Sequence, residues 1–232
     1  MAKINFGAGI EDARGSFGGM TFSVNRYGAY IRRKVSPVQP TTPAQSLIRE
    51  RLTGLSKRYG GTLTETQRRH WRELASTNPI TDVFGETKIL AANGLFCKVN
   101  MNRLQCGGSI LDDAPADLDV GSIVSVSMES CDAGMSEVEI NFSPACEASE
   151  RLMYRFVPNV PASILFVKNR YRFAGYTELA QASPAILSWA LLYPSVILTA
   201  GLYLFLHIYK YNAINGAVSS GVILRSEILP AP

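Results

Sequence analysis

Residues 179–211 read LAQASPAILSWALLYPSVILTAGLYLFLHIYKY, and the interpretation of this stretch decides the fold. No formal charge occurs from Leu179 to Tyr209, so as a helix the run would be long enough to cross a bilayer. Three features oppose that reading. Pro184 and Pro194 divide the run, Gly201 divides it again, and from Leu202 the pattern takes a period of two. Leu202, Leu204, Leu206 and Ile208 alternate with Tyr203, Phe205, His207 and Tyr209, which describes a strand buried on both faces. The stretch is therefore expected to supply strands of a soluble β-domain, with no membrane partner.

The flanking sequence extends the same pattern. Upstream, IVSVSM (123–128), VEINFS (138–143), LMYRFV (152–157) and ILFVKNRYRF (164–173) are short β-rich runs separated by Gly, Pro, Asp and Ser. Strand-sized runs at this spacing, without helices between them, predict an antiparallel sandwich. Residues 198–220, LTAGLYLFLHIYKYNAINGAVSS, resemble the closing half of a fibronectin-type-III or immunoglobulin-like domain. The resemblance assigns Gly201 to a turn, Tyr203 to a tyrosine bonding back to the backbone, Asn215-Gly216 to the last turn and Val222–Leu229 to the final strand. It implies an Ig-like sandwich, a fold that does not specify function.

Charge divides the chain in two. Residues 1–111 hold 16 Lys and Arg against 7 Asp and Glu, a net of +9, whereas residues 112–232 hold 7 against 12, a net of −5. The switch falls in CGGSILDDAPADLDVGS, which reads as a linker and places the domain boundary near Asp112. With 47% hydrophobic residues, the 232-residue chain can fill one large core or two modest ones, and the charge split favours two domains.

In the basic half, Met20, Phe22 and Val24 alternate with Thr21 and Ser23 before NRYG, and alternation resumes from Ala29 to Arg33. This predicts a β-hairpin whose turn uses Gly28 at positive φ. Thr42, Pro43 and Gln45 then form a helix-start signal ahead of Ile48, Leu52, Leu55 and Tyr59. A second cap, Thr64 with Gln67, opens a helix on which Trp71, Leu74 and Ala75 face the first helix and Arg68, Arg69 and Arg72 face outward. A third helix places Leu95, Phe96 and Val99 on one side and stops at two glycines. The expected fold is thus an α+β N-terminal domain over 1–111, a hairpin plus about three helices, followed by an all-β sandwich over 112–232.

The N-terminal half also carries a motif string: R-G-x-x-G-G-x-x-F-S at 14–23, N-R-x-G-x-Y-x-R at 25–32, P-x-x-P-x-T-x-x-Q at 37–45, L-T-x-x-Q-R-x-x-W at 63–71 and G-L-F-x-x-x-N at 94–100. Over about residues 13–115 it is similar to uncharacterised proteins encoded among structural genes of tailed bacteriophages and prophages. That resemblance implies a virion structural protein, capsid-associated, connector or tail, made in the bacterial host cytoplasm. Its implied partners are other virion proteins; the charge split, for its part, suits head-to-tail association of the basic half with the acidic half of a neighbouring copy, in a ring or lattice.

The residues offer little for catalysis. RGSFGG lacks the G-x-x-x-x-G-K-[ST] phosphate loop and precedes a strand. His70 and His207 have no nucleophile-motif partner, and no G-x-S-x-G, HExxH or D-x-D-x-D-G occurs. Cys97, Cys106, Cys131 and Cys146 form no CxxC pair, so buried thiols are expected. The leader MAKINFGAGIEDARG has no apolar segment and predicts no export. The expectation is a non-enzymatic binding protein without cofactor, metal or small-molecule substrate. Contact residues are Arg14, Arg26, Tyr27, Tyr30, Arg32, Arg33 and Lys34 around the hairpin and Arg68, Arg69 and Arg72 on the second helix, facing an acidic protein surface. Nucleic acid is the alternative partner, with the arginines on phosphates and Tyr27 and Tyr30 stacked on bases.

Overall fold

The computed structural model of the chain describes residues 2–4, 13–25, 27–35, 42–81, 85–129 and 131–230. The chain begins with an antiparallel sheet of β1 (Ala2–Lys3), β2 (Gly15–Phe17), β3 (Met20–Asn25) and β4 (Gly28–Arg33), in the order β1-β4-β3-β2. The β3–β4 hairpin is the one expected, in the register Met20↔Arg33, Phe22↔Ile31, Asn25↔Gly28. Its tip includes Gly28 at φ 106°, a conformation that glycine adopts without the Cβ penalty.

Three helices follow. In α1 (Pro43–Gly61) the Thr42 hydroxyl accepts from the Gln45 amide and Pro43 fills the first turn. In α2 (Glu65–Thr77) Thr64 and Gln67 form a reciprocal capping box. After a short ladder of β5 (Ile80–Thr81) and β6 (Thr87–Lys88) comes α3 (Ala92–Gln105). The two earlier helices pack on α3 rather than chiefly on each other. Phe96 of α3 is the common contact: Trp71 of α2 meets it edge-on at 5.3 Å and Tyr59 of α1 at 5.6 Å. Phe96 is wide enough to separate the pair, so Trp71 faces α3, not α1 as the helical spacing predicts. Only Leu55 of α1 is buried, and Leu47, Ile48 and Leu52 remain exposed.

The segment expected to be a linker is held along its length. Asn100, fully buried in α3, donates to the Leu111 carbonyl and accepts from its amide. Trp71 Nε1 donates to the Asp112 carbonyl at 2.8 Å, and Arg58 makes two hydrogen bonds to the Asp112 carboxylate at 2.6 and 2.5 Å. These bonds draw residues 110–118 onto the helical core, which Ile110, Ala114 and Leu118 extend. Asn215 then donates to the Asp119 carbonyl, and the Gly121 amide donates to Glu150.

The remainder is β-rich: β7 (Ser125–Met128), β8 (Glu137–Ser143), β9 (Glu150–Val160), β10 (Arg172–Tyr176), β11 (Ala185–Ser188), β12 (Tyr203–Asn212) and β13 (Val222–Glu227). They form two antiparallel sheets, β10-β9-β12-β13 and β11-β8-β7. One cluster, including Ile140, Leu152, Phe156, Leu187, Trp189, Leu204, Leu206 and Ile208, joins side chains from both. The charge-free run yields β11, turns and most of β12. Among the described residues, no helix is long and apolar enough to cross a membrane. β12 is covered on both faces as its alternation predicts: Leu204, Leu206 and Ile208 face the shared cluster, while Phe205 and Tyr211 join two smaller ones on the other side.

Two expectations fail locally. ILFVKNRYRF is a strand only from Arg172, because Pro161–Arg170 folds into turns closed by Ile164 N–Pro161 O and Arg170 N–Val167 O bonds. Among the described residues, Tyr203 does not bond back to the backbone. Its register opposite Glu227 puts the ring beneath Arg225, 4.0 Å from centroid to guanidinium carbon, and its hydroxyl donates to the Glu227 carboxylate at 3.4 Å.

The two halves meet where α3 ends. Arg103 donates to the carbonyls of Ala213 and Ile214, Asn102 to that of Gly216, and Arg151 of β9 to that of Cys106. Cys106, Met153 and Tyr211 form a buried cluster there.

Candidate assembly surface on the basic hairpin

Antiparallel pairing puts cross-strand partners on the same face, which sorts the hairpin side chains. Phe17, Met20 and Arg33 form one row; Phe22 and Ile31, then Val24 and Ala29, continue it. Ser16, Thr21, Ser23, Tyr30 and Arg32 occupy the opposite face. No described side chain of this sheet is buried, and Phe17 is 82% exposed. A folded sheet normally covers one face. Here the apolar row and the cations at the end of β4 stand open together.

The ten contact residues expected from the sequence separate into groups. Arg32, Arg33 and Lys34 are exposed, and their side chains make no hydrogen bond or ion pair among the described residues. Arg14, just before β2, is also exposed, and Tyr30 is half-buried opposite Ser23. Arg26 lies outside the described residues. Tyr27 serves the fold: its hydroxyl accepts from the Ala91 amide at 3.1 Å and its carbonyl from Lys88 Nζ at 3.0 Å, fixing the hairpin tip to the entrance of α3. That hydroxyl contact ties Tyr27 down where base stacking would need it free.

The α2 arginines are also engaged within the chain. Arg68 donates to the Leu63 and Gly60 carbonyls, satisfying the end of α1, and stands 3.7 Å from Glu65. Arg72 pairs with Glu65, whose carboxyl is held below its ordinary range by that hydrogen bond and charge. Arg69 lies 3.7 Å from Glu73, one turn on. The same chemistry at Asp112 lowers its pKa, through the hydrogen bonds from Arg58.

Elsewhere the buried polar groups support structure. The four cysteines are buried and unpaired, and burial pushes Cys106 up to about 12 and Cys131 and Cys146 up to about 11. Such thiols are poor nucleophiles. His70 is exposed on α2. His207 is packed against Tyr209, whose hydroxyl lies 2.7 Å from its Nδ1, and burial together with Arg155 lowers its pKa. A cavity of about 200 Å³ between α3 and residues 216–218 has Asn78 and Asn102 in its wall, but these amides already donate to the Leu74 and Gly216 carbonyls.

Sequence reasoning pointed to the acidic half of the chain as a partner surface but did not locate it on one sheet. All seven cations of residues 112–232 lie on β9, β10, β12, β13 or the turns before β10; β7, β8 and β11 contain none. Glu137 and Glu139 stand on the outward phase of β8, and Glu129 follows β7, its amide bonded to the Glu139 carbonyl. The signal was present in the sequence: no Lys or Arg occurs between Arg103 and Arg151.

Compared with known families and with curated proteins, the chain matches no family model and no curated sequence.

Proposed function

We propose that this chain is a non-enzymatic structural protein of a tailed-bacteriophage particle, a capsid-associated, connector or tail component that assembles by protein–protein contact. Its N-terminal half would act as the anchor and its C-terminal half as an Ig-like sandwich. The observation that carries the reading is the contrast among cations: Arg33 stands exposed on the face of the uncovered Phe17–Met20 row, with Lys34 exposed after it and Arg32 exposed on the other face, whereas Arg68, Arg69 and Arg72 are spent within the chain. An apolar row rimmed by unpaired charge is the composition of a protein contact site. The motif string of residues 14–100 supplies the virion context by resemblance.

Strand order supports the sandwich assignment. The first, second and fifth strands of the C-terminal half pair in one sheet, and the third, fourth, sixth and seventh in the other, with the third beside the sixth. Immunoglobulin-type sandwiches distribute their strands in this manner.

Nucleic acid as a partner draws support from the hairpin cations and from Arg49, Arg51 and Lys57 of α1, whose side chains have no ion-pair partner among the described residues, whereas the α2 arginines already have carboxylate or carbonyl partners. The experiment that tests the proposal is incorporation. Replacing Arg32, Arg33 and Lys34 together by Glu should remove the polypeptide from purified particles, as read by mass spectrometry. Normal incorporation of that folded variant would refute the anchor, and absence of the wild-type chain from particles would refute the virion assignment. Duplex binding that falls steeply with salt and disappears in the same variant would favour nucleic acid instead.

A further inference from the structure

We infer that the surface the hairpin meets is the outer face of the β11-β8-β7 sheet on a second copy of this chain. The inference rests on the assembly reading above and names its partner.

Two open faces of this molecule complement each other in charge and in composition. The first is the β2–β4 end of the N-terminal sheet. Phe17 and Met20 are 82% and 46% exposed, in register with Arg33 on the same face, and the exposed Lys34 follows at the end of that row. The second is the outward phase of β7, β8 and β11. There Ile186 of β11 is 62% exposed and pairs with Glu139 of β8; Ser188 pairs with Glu137, and Glu129 follows at the end of β7. Among the described residues none of the three glutamates has an ion-pair partner, and no cation occurs on these three strands to provide one. Asn141 donates to Glu129 from the same face and holds that carboxylate in place.

The hairpin face thus carries exposed Phe17 and Met20 and the sheet face exposed Ile186, each beside charge of a single sign, and the signs are opposite. Single-sign rims repel their own kind, so neither face suits a symmetric contact with itself, in which the same patch must be self-complementary. Hairpin on acidic sheet is a heterologous contact. Each copy would then offer one free hairpin and one free sheet face, and association continues until a ring closes or a filament grows. The chain is suited to transmit such a contact rigidly, because Arg103, Asn102 and Arg151 bond the helical unit to the β-rich unit between the two faces.

The test uses two variants of the full chain, Arg33→Glu with Lys34→Glu, and Glu137→Lys with Glu139→Lys. None of the four residues is buried, and circular dichroism with thermal unfolding checks that both variants fold. Sedimentation velocity at low salt should show wild-type chains associating with concentration beyond dimers. Each variant alone should associate more than about tenfold more weakly, from the cost of placing like charges together. An equimolar mixture should restore association beyond dimers, because the intact hairpin of one variant meets the intact acidic face of the other and the two substituted faces also carry opposite charges. A monomeric wild type at all concentrations, or a glutamate variant that associates as wild type does, would overturn the inference. Particle incorporation separates this failure from that of the assembly reading. If the hairpin variant is lost from particles while the Glu137→Lys, Glu139→Lys variant enters normally, the anchor stands and its partner is a different protein.

Discussion

Lys210 and Glu150 form an ion pair inside the β-rich half, Nζ to Oε2 3.3 Å, with side-chain exposures of 1% and 2%. Both occupy the inward phase of central strands, Lys210 two residues beyond Ile208 on β12 and Glu150 two before Leu152 on β9. Every remaining polar atom of the pair is occupied. Lys210 donates to the Ala145 carbonyl, and the Glu150 oxygens accept from the Gly121 and Glu147 amides. The pair thereby pins the segment entering the sheets, the β8–β9 turn and both central strands at one point. Removing a single partner leaves a buried charge uncompensated, a loss of about 3–5 kcal/mol. Lys210→Met should lower the urea midpoint accordingly, and Lys210→Met combined with Glu150→Gln should recover part of that loss.

The same site predicts acid sensitivity. Burial by itself would raise the Glu150 pKa, but the Glu147 and Gly121 amides and the Lys210 charge outweigh it and hold the carboxyl below its ordinary value of 4.5. The unfolded chain therefore binds this proton more readily than the folded one. Stability from this group is fully present above pH 4.5 and is lost as pH falls through the depressed folded value. Urea unfolding at pH 7, 4.5 and 3 should show the loss in the wild type and a smaller acid-dependent change in Glu150→Gln.

Gly216 tests the junction between the halves. Its φ is 71°, and a Cβ there would stand 2.7 Å from Val99 Cγ1 and 3.1 Å from the Val99 carbonyl oxygen. Strained backbone and close contact with α3 combine, so Gly216→Ala should cost about 1–3 kcal/mol. Hydrogen exchange should quicken in residues 212–218 and the last turns of α3. A variant with unchanged exchange would show that α3 does not pack on this turn as described.

What could be read from the sequence follows from the range of the forces involved. Thr64 with Gln67 and the 20–33 alternation report local bonds, and the helix start and hairpin lie where those residues place them. Leu202–Tyr209 was readable because a strand covered on both faces has apolar residues on both phases. Trp71 was misplaced because its partner Phe96 is far along the chain, and helical spacing gives a buried side but not the element that buries it. The Asp112 segment looked like a tether on composition alone; its bonds to Arg58, Trp71 and Asn100 are all long-range. At the assembly surface, charge was legible but accessibility was not. Arg72 and Arg33 are alike in sequence, and only the fold gives the former a carboxylate and leaves the latter exposed.

That distinction yields the last prediction, a comparison of two sets of triple substitutions. Arg68→Gln, Arg69→Gln and Arg72→Gln remove the cap on the Leu63 and Gly60 carbonyls and the pairs to Glu65 and Glu73. The loss of the charged donor at the end of α1 alone should cost on the order of 1 kcal/mol, so the thermal midpoint falls while association between chains is retained. Arg32→Gln, Arg33→Gln and Lys34→Gln touch side chains with no partner inside the described residues, so stability should stay within about 0.5 kcal/mol of wild type. Association should nevertheless weaken, and its dependence on salt should flatten, because the charges that respond to screening are the ones removed. If the α2 set instead abolished association with the fold intact, the contact would lie on the helices and the hairpin would lose its assignment.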